Sequence, residues 1–294
     1  MMARFKLFVL ILVVSLIVAC QPKEIKSNEN MRNDKIINLH FGEQGIQDFQ
    51  KYTGGKIDRQ PAGMNFMTLN WQPPHLGKVK IDNGQASLVI DHVFSVMGVQ
   101  VADDPHIKGI TALDIDASLH QAEFVSPQDA YIAYVKLMEH LNQQGWKQFF
   151  YRSDARIAKE DNLKHVFERF KVIDPTYRFS YEEWQKVMNN LPAGIVYRLY
   201  NNGIFLSVSL YRSAVNEKKQ EQYMLRYDIQ TIRYNERNTI EKSYEMNDSE
   251  FAAAFEKARE REKLSRQEEE QEMKAKGYRI DESYVDPDVW EYIK

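Results

Sequence analysis

Two stretches of strict alternation limit what this chain can fold into. Between Gly109 and His120, Thr111, Leu113, Ile115, Ala117 and Leu119 point one way. Ala112, Asp114, Asp116, Ser118 and His120 point the other. Between Gln222 and Tyr234, Tyr223, Leu225, Tyr227, Ile229 and Thr231 share one face. A period of two with one apolar and one polar face belongs to antiparallel strands that are wet on one side. Turn residues sit where such strands need them. Asp82-Asn83-Gly84 separates Lys78–Ile81 from Gln85–Val99, and Asn201-Asn202-Gly203 separates Gly194–Tyr200 from Ile204–Arg212. Lys35–Phe41 and Trp146–Arg152 read as further strands. Thr53 to Lys78 is rich in Gly and Pro and reads as a loop; its Met64, Phe66, Met67 and Trp71 either plug the core or serve a long binding loop.

Helix signals lie between these blocks. Glu43–Tyr52 has Ile46, Phe49 and Tyr52 at helical spacing. Ser126 with Pro127 opens a helix whose stripe is Tyr131, Tyr134, Val135, Met138 and Leu141, and Gly145 closes it. Asn162–Val172 is another. Ser180 with Glu183 is a capping box for a helix that ends before Pro192. Asn247 with Glu250 is a second box, and opens a long helix to Lys276. The pattern predicts an α+β fold: antiparallel sheet(s) with helices on one side, plus a long charged C-terminal helix. The globular domain is expected over 35–245, with a charged helix and acidic aromatic tail over 246–294.

Arg259–Lys276 has only Leu264, Met273 and Ala275 as apolar side chains, so it is expected to project as a solvated spacer. Beyond Gly277 the chain regains aromatics among carboxylates. Tyr284, Trp290 and Tyr292 either fold back on the body or are offered to a basic groove on a partner.

The first twenty residues have a separate logic. Arg4 and Lys6 precede an apolar run of about 13 residues, Leu7–Ala19, short of the roughly 20 that cross a bilayer. The run ends in Ile17-Val18-Ala19-Cys20, which resembles the lipobox of bacterial lipoproteins. The resemblance implies a signal peptide over 1–19, cleavage before Cys20 and lipid on its sulfur. Residues 20–34 become an acylated flexible tether to the membrane. Gln21, where an aspartate resembles an inner-membrane retention signal in enterobacterial lipoproteins, leans the expectation to the outer membrane, facing the periplasm. Cys20 is the sole cysteine, so its acylation removes disulfides, Cys-zinc sites and thiol catalysis.

The chemistry on offer is sparse. Asp114, Asp116 and His120 share a strand face and form the one polar cluster worth weighing as a catalytic or metal site. The glycine and distal glutamate of a calcium loop are missing, and carboxylates so spaced on a wet face are ordinarily just solvated. No G-x-S-x-G elbow, P-loop or dinucleotide glycine pattern occurs. No catalytic residue, metal or cofactor is therefore expected. The full chain carries net charge −3, and cleavage would remove Arg4 and Lys6 and leave −5, which argues against nucleic acid. A lipobox, one α+β domain and no catalytic signature together resemble the architecture of lipoprotein immunity factors paired with type VI secretion effectors. That resemblance implies a protein partner. The alternatives are a periplasmic hydrolase using Asp114, Asp116 and His120, or a general envelope-assembly lipoprotein.

Overall fold

The computed structural model describes residues 36–169 and 173–293. The leader, Cys20 and the tether lie outside the described residues. The first half runs β1 (Ile37–Leu39), α1 (Gly42–Thr53), β2 (Asp58–Arg59), β3 (Met64–Asn70), β4 (Gly77–Ile81), β5 (Leu88–Val101) and β6 (Ile110–Ser118). Then come α2 (Pro127–Gln143), β7 (Lys147–Gln148), α3 (Asn162–Arg169), α4 (Tyr181–Asn190), β8 (Ile195–Asn201), β9 (Ile204–Val215) and β10 (Glu221–Thr231). The last elements are α5 (Ile232–Arg237), α6 (Asp248–Ala275) and α7 (Trp290–Ile293).

The strands form one sheet in the order β1-β4-β5-β6-β10-β9-β8-β7, with β3 also on β5 and β2 on β3. The content is mixed α and β, as expected, but the sheet is not purely antiparallel. β1 lies parallel to β4, with Ile37 beside Val79 and Leu39 beside Ile81. The reason is connectivity: α1 takes the chain out of the sheet between them, and a parallel pair needs such a crossover. The expected hairpins form. Val79 faces Ile90, and Asn201 faces Ile204 across a turn in which Asn202 and Gly203 take positive φ of 41° and 78°.

Alternation sets the main core. Leu113, Ile115 and Ala117 are fully buried, as are Leu206, Val208 and Leu210. Against them lie Phe49 of α1, Tyr134 and Leu141 of α2, and Trp184 and Val187 of α4. Tyr134 stacks on Trp184 with ring centroids 4.4 Å apart, and its hydroxyl meets that of Tyr197 at 2.9 Å. Burying side chains of this size contributes about 1.5–3 kcal/mol each. All three expected caps are present: Asp129 N–H donates to Ser126 Oγ, and Ser180 with Glu183 and Asn247 with Glu250 close their boxes.

Four further expectations need correction. The glycine-rich stretch after Thr53 contains β3, paired with β5, and its Met67 and Leu69 are buried. The breakers bound that strand rather than interrupt it. The strand expected over Trp146–Arg152 shrinks to Lys147–Gln148. The strand expected to reach Tyr234 stops at Thr231, because the Thr231 hydroxyl accepts from Tyr234 N–H and caps α5.

The fourth concerns α6, which does not project. Met273 is 1% exposed and packs with Ala155, Ile157 and Tyr278. The charged positions of the helix face the 152–156 segment. Glu262 meets Arg152 Nε at 2.7 Å, and Glu269 accepts from Ala155 N–H at 2.8 Å. Carboxylates that satisfy backbone N–H groups and a guanidinium dock a helix without an apolar stripe.

The tail then folds back. Asp281 N–H donates to Arg156 O, and Ala158 N–H donates to Arg279 O. Arg279 is bidentate on Asp161, at 2.6 and 3.1 Å. Trp290 stacks on Phe255, centroids 5.7 Å apart, within a second core of Phe149, Phe205, Ile232, Ile240, Phe251, Phe255 and Ile293. Phe205 precedes Leu206 in β9, so this second core lies on the opposite face of that strand from the first.

Candidate functional site

The second core covers the second face of the central strands at Phe205, and beyond it that face is polar. It presents Ser95 and Met97 from β5, Asp114 and Asp116 from β6, Arg226 and Asp228 from β10, and Ser207 and Ser209 from β9. Asp116 and Arg226 are exposed, and the others are half-buried. Alternation puts all of them on the wet side because their neighbours fill the core.

Register makes this face unusual. Asp114 stands directly opposite Asp228, and Asp116 opposite Arg226. Like charges directly opposed across antiparallel strands are destabilising. Arg226 approaches Asp114 only to 3.8 Å, and Asp116 takes a hydrogen bond from Ser95 Oγ at 3.1 Å. Partial burial holds the Asp114 carboxyl above its usual range, and the charge of Asp228 pushes the same way.

Of the three residues weighed from sequence, Asp114 and Asp116 share this face. His120 lies past the end of β6. Its Nδ1 accepts from Ala122 N–H at 3.0 Å, and its ring lies 6.5 Å from that of His92. Among the described residues no three His, Cys, Asp or Glu side chains gather as metal ligands. Asp228 and Arg226 were missed in the sequence. Their polar phase was readable from the alternation after Gln222, but which aspartate they would face depends on register.

The three tail aromatics divide. Tyr284 and Trp290 pack on the protein's own body. The Tyr284 hydroxyl accepts from Phe150 N–H at 3.2 Å. Tyr292 is 40% exposed and covers Gly203, where a Cβ would meet its ring at 2.5 Å. Under Trp290 lies a cleft of about 320 Å³, lined by Phe149, Arg152, Glu236, Phe255, Arg259 and Asp288 among others. Its most buried cation, Arg152, is already committed to Glu236 at 2.6 Å and Glu262 at 2.7 Å. That cleft is held together by its own charges.

No family model matches the chain, and no curated protein or solved structure matches it.

Proposed function

We propose that this is a lipid-anchored protein of the bacterial envelope that binds another protein through the open face of its sheet. The observation that carries the proposal is the half-buried facing pair Asp114–Asp228, with Arg226 3.8 Å from Asp114 and the Gln230 amide donating to Asp228 at 2.9 Å. A basic side chain from a partner, seated over the pair, removes the repulsion that the free protein bears. The lipobox-like Ile17–Cys20 and the polar residues after it support a tether that holds this surface at the membrane, outer by the reading of Gln21. The narrower form of the proposal is an immunity protein for a type VI secretion effector, with a basic surface on the effector as the partner.

Two experiments separate the parts. Cys20→Ala should abolish palmitate labelling and membrane fractionation; labelling that persists removes the anchor. For binding, the product of the adjacent gene is tested for copurification with the full chain and for toxicity relieved by it. Asp114→Lys with Asp228→Lys should lose both. An adjacent product that is neither bound nor neutralised removes the immunity form, and binding that survives the double variant removes the open face.

A further inference from the structure

A second cleft, of about 390 Å³, opens beside the end of α2, far in sequence from the open-face strands and independent of the reading above. It is lined by Trp146, Lys147, Gln148, Asp174, Pro175 and Arg178 among others. Trp146 and Pro175, both buried, give it an apolar wall. Among the described residues, two donors on these lining side chains have no acceptor: the indole N–H of Trp146, a residue 2% exposed, and the side-chain nitrogen of Gln148. Both are shielded from solvent. A buried donor without a partner costs about 1–3 kcal/mol, so two in one wall ask for an explanation.

The neighbouring polar groups do not supply one. Asn142 Nδ2 donates to Pro175 O at 2.9 Å. Asp174 Oδ1 is occupied by Thr176, which donates to it from N at 2.7 Å and Oγ1 at 2.6 Å. Two cations, Lys147 and Arg178, stand at the rim. Arg178 is 70% exposed and pairs with Glu139 at 3.0 Å. Indole N–H, amide nitrogen, ammonium and guanidinium all donate and outnumber the one carboxylate, Asp174, so the complement is an anionic acceptor. The apolar wall adds that the acceptor should be carried on an apolar body.

We propose that this cleft binds a carboxylate borne on an apolar body, either a small free acid or the C-terminus of a peptide. The exposed rim side chains Lys147, Thr176 and Arg178 part to admit it. Its oxygens accept from Trp146 and Gln148, and the two rim cations balance its charge. The volume falls within the range of small-ligand pockets.

The test follows the Trp146 indole N–H by NMR in the full chain in mild detergent, assigned with Trp146→Phe. N-acetyl-leucine is titrated against N-acetyl-leucinamide, which has the same body without the charge. The acid should shift the Trp146 signal saturably, and the amide should bind roughly tenfold or more weakly. Gln148→Leu should weaken the acid by a similar factor. Arg178→Ala, an exposed change with little risk to folding, should weaken it by about threefold. An acetylated tetrapeptide ending in leucine separates the sources: tighter binding assigns the site to a chain terminus, and equal binding to a small acid. No saturable shift with the acid up to about 10 mM, equal binding of acid and amide, or full affinity in both variants overturns the proposal.

Discussion

Arg156 meets Asp286 across a separation of 130 residues, guanidinium to carboxylate at 2.6 Å. Arg266 stands 3.7 Å from the same carboxylate. The pair joins the tail to the segment after β7, and Asp286 is 38% exposed, so solvent screens part of the attraction. A double-mutant cycle of Arg156→Ala and Asp286→Ala should give a coupling of about 1 kcal/mol, shrinking in about 1 M salt. Urea unfolding measures it, and zero coupling at low salt would show that the clip is not ionic.

Ending the chain at Gly277 removes Tyr278, Tyr284, Trp290 and Ile293 from their sites. Each buried aromatic or aliphatic side chain is worth about 1.5–3 kcal/mol, so the melting temperature should fall by at least about 10 °C. A truncated protein that melts as the full chain does would mean that the second core is complete without its tail.

Gly98 of β5 lies under Phe49 of α1, and a Cβ there would meet the ring at 2.4 Å. Gly98→Ala should therefore cost about 1–3 kcal/mol by overpacking. Adding Phe49→Leu should recover part of that loss, although Phe49→Leu alone destabilises. Additive losses in the cycle would contradict the contact.

Much of this was legible beforehand, and the failures have a common cause. The strand faces of β6 and β10, the Asn202-Gly203 turn and the caps at Ser126, Ser180 and Asn247 are local facts, fixed by residues within a few positions of each other. The docking of α6 is not local. Glu262 and Glu269 look like solvent charges until Arg152 and the N–H of Ala155 are placed beside them. The opposition of Asp114 and Asp228 was hidden in the same way, because a phase can be read from one strand and a register only from two. β3 was obscured by the glycines and prolines around it.

Asp114 offers a prediction on the candidate face. Its folded carboxyl titrates above the ordinary 3.8, so ionisation is what folding disfavours. The penalty is present above the folded value and disappears below 3.8, where the unfolded chain is protonated too. Asp114→Asn should stabilise the free protein by about 0.5 kcal/mol at neutral pH, with the gain vanishing in acid. Urea midpoints across pH check this, and a loss at neutral pH would mean that the carboxylate is held by attraction.

His92 should act in the opposite sense. Burial lowers its imidazole below 6.5, Asp91 partly restores it, and His120 lowers it again. A His with a depressed folded value supports folding above 6.5 and withdraws that support as pH falls through the folded value. Stability should drop as pH falls below 6.5, and His92→Asn should flatten the drop. Asparagine tolerates the backbone there, where φ is 57°. An unchanged slope in the variant would assign the acid sensitivity elsewhere.

The folded-back tail has a consequence for the order in which the molecule can be made. Phe150 must wait for Tyr284, 134 residues later, and Phe149 for the core that Ile293 completes. Synthesis from the amino end finishes the main sheet while these aromatics are still wet. For that interval the nascent protein carries a sticky, half-built flank, the kind of surface that holding chaperones recognise. A ribosome stalled before Tyr278 should therefore display a chain whose first core is protected from protease while the segment after β7 is still cut.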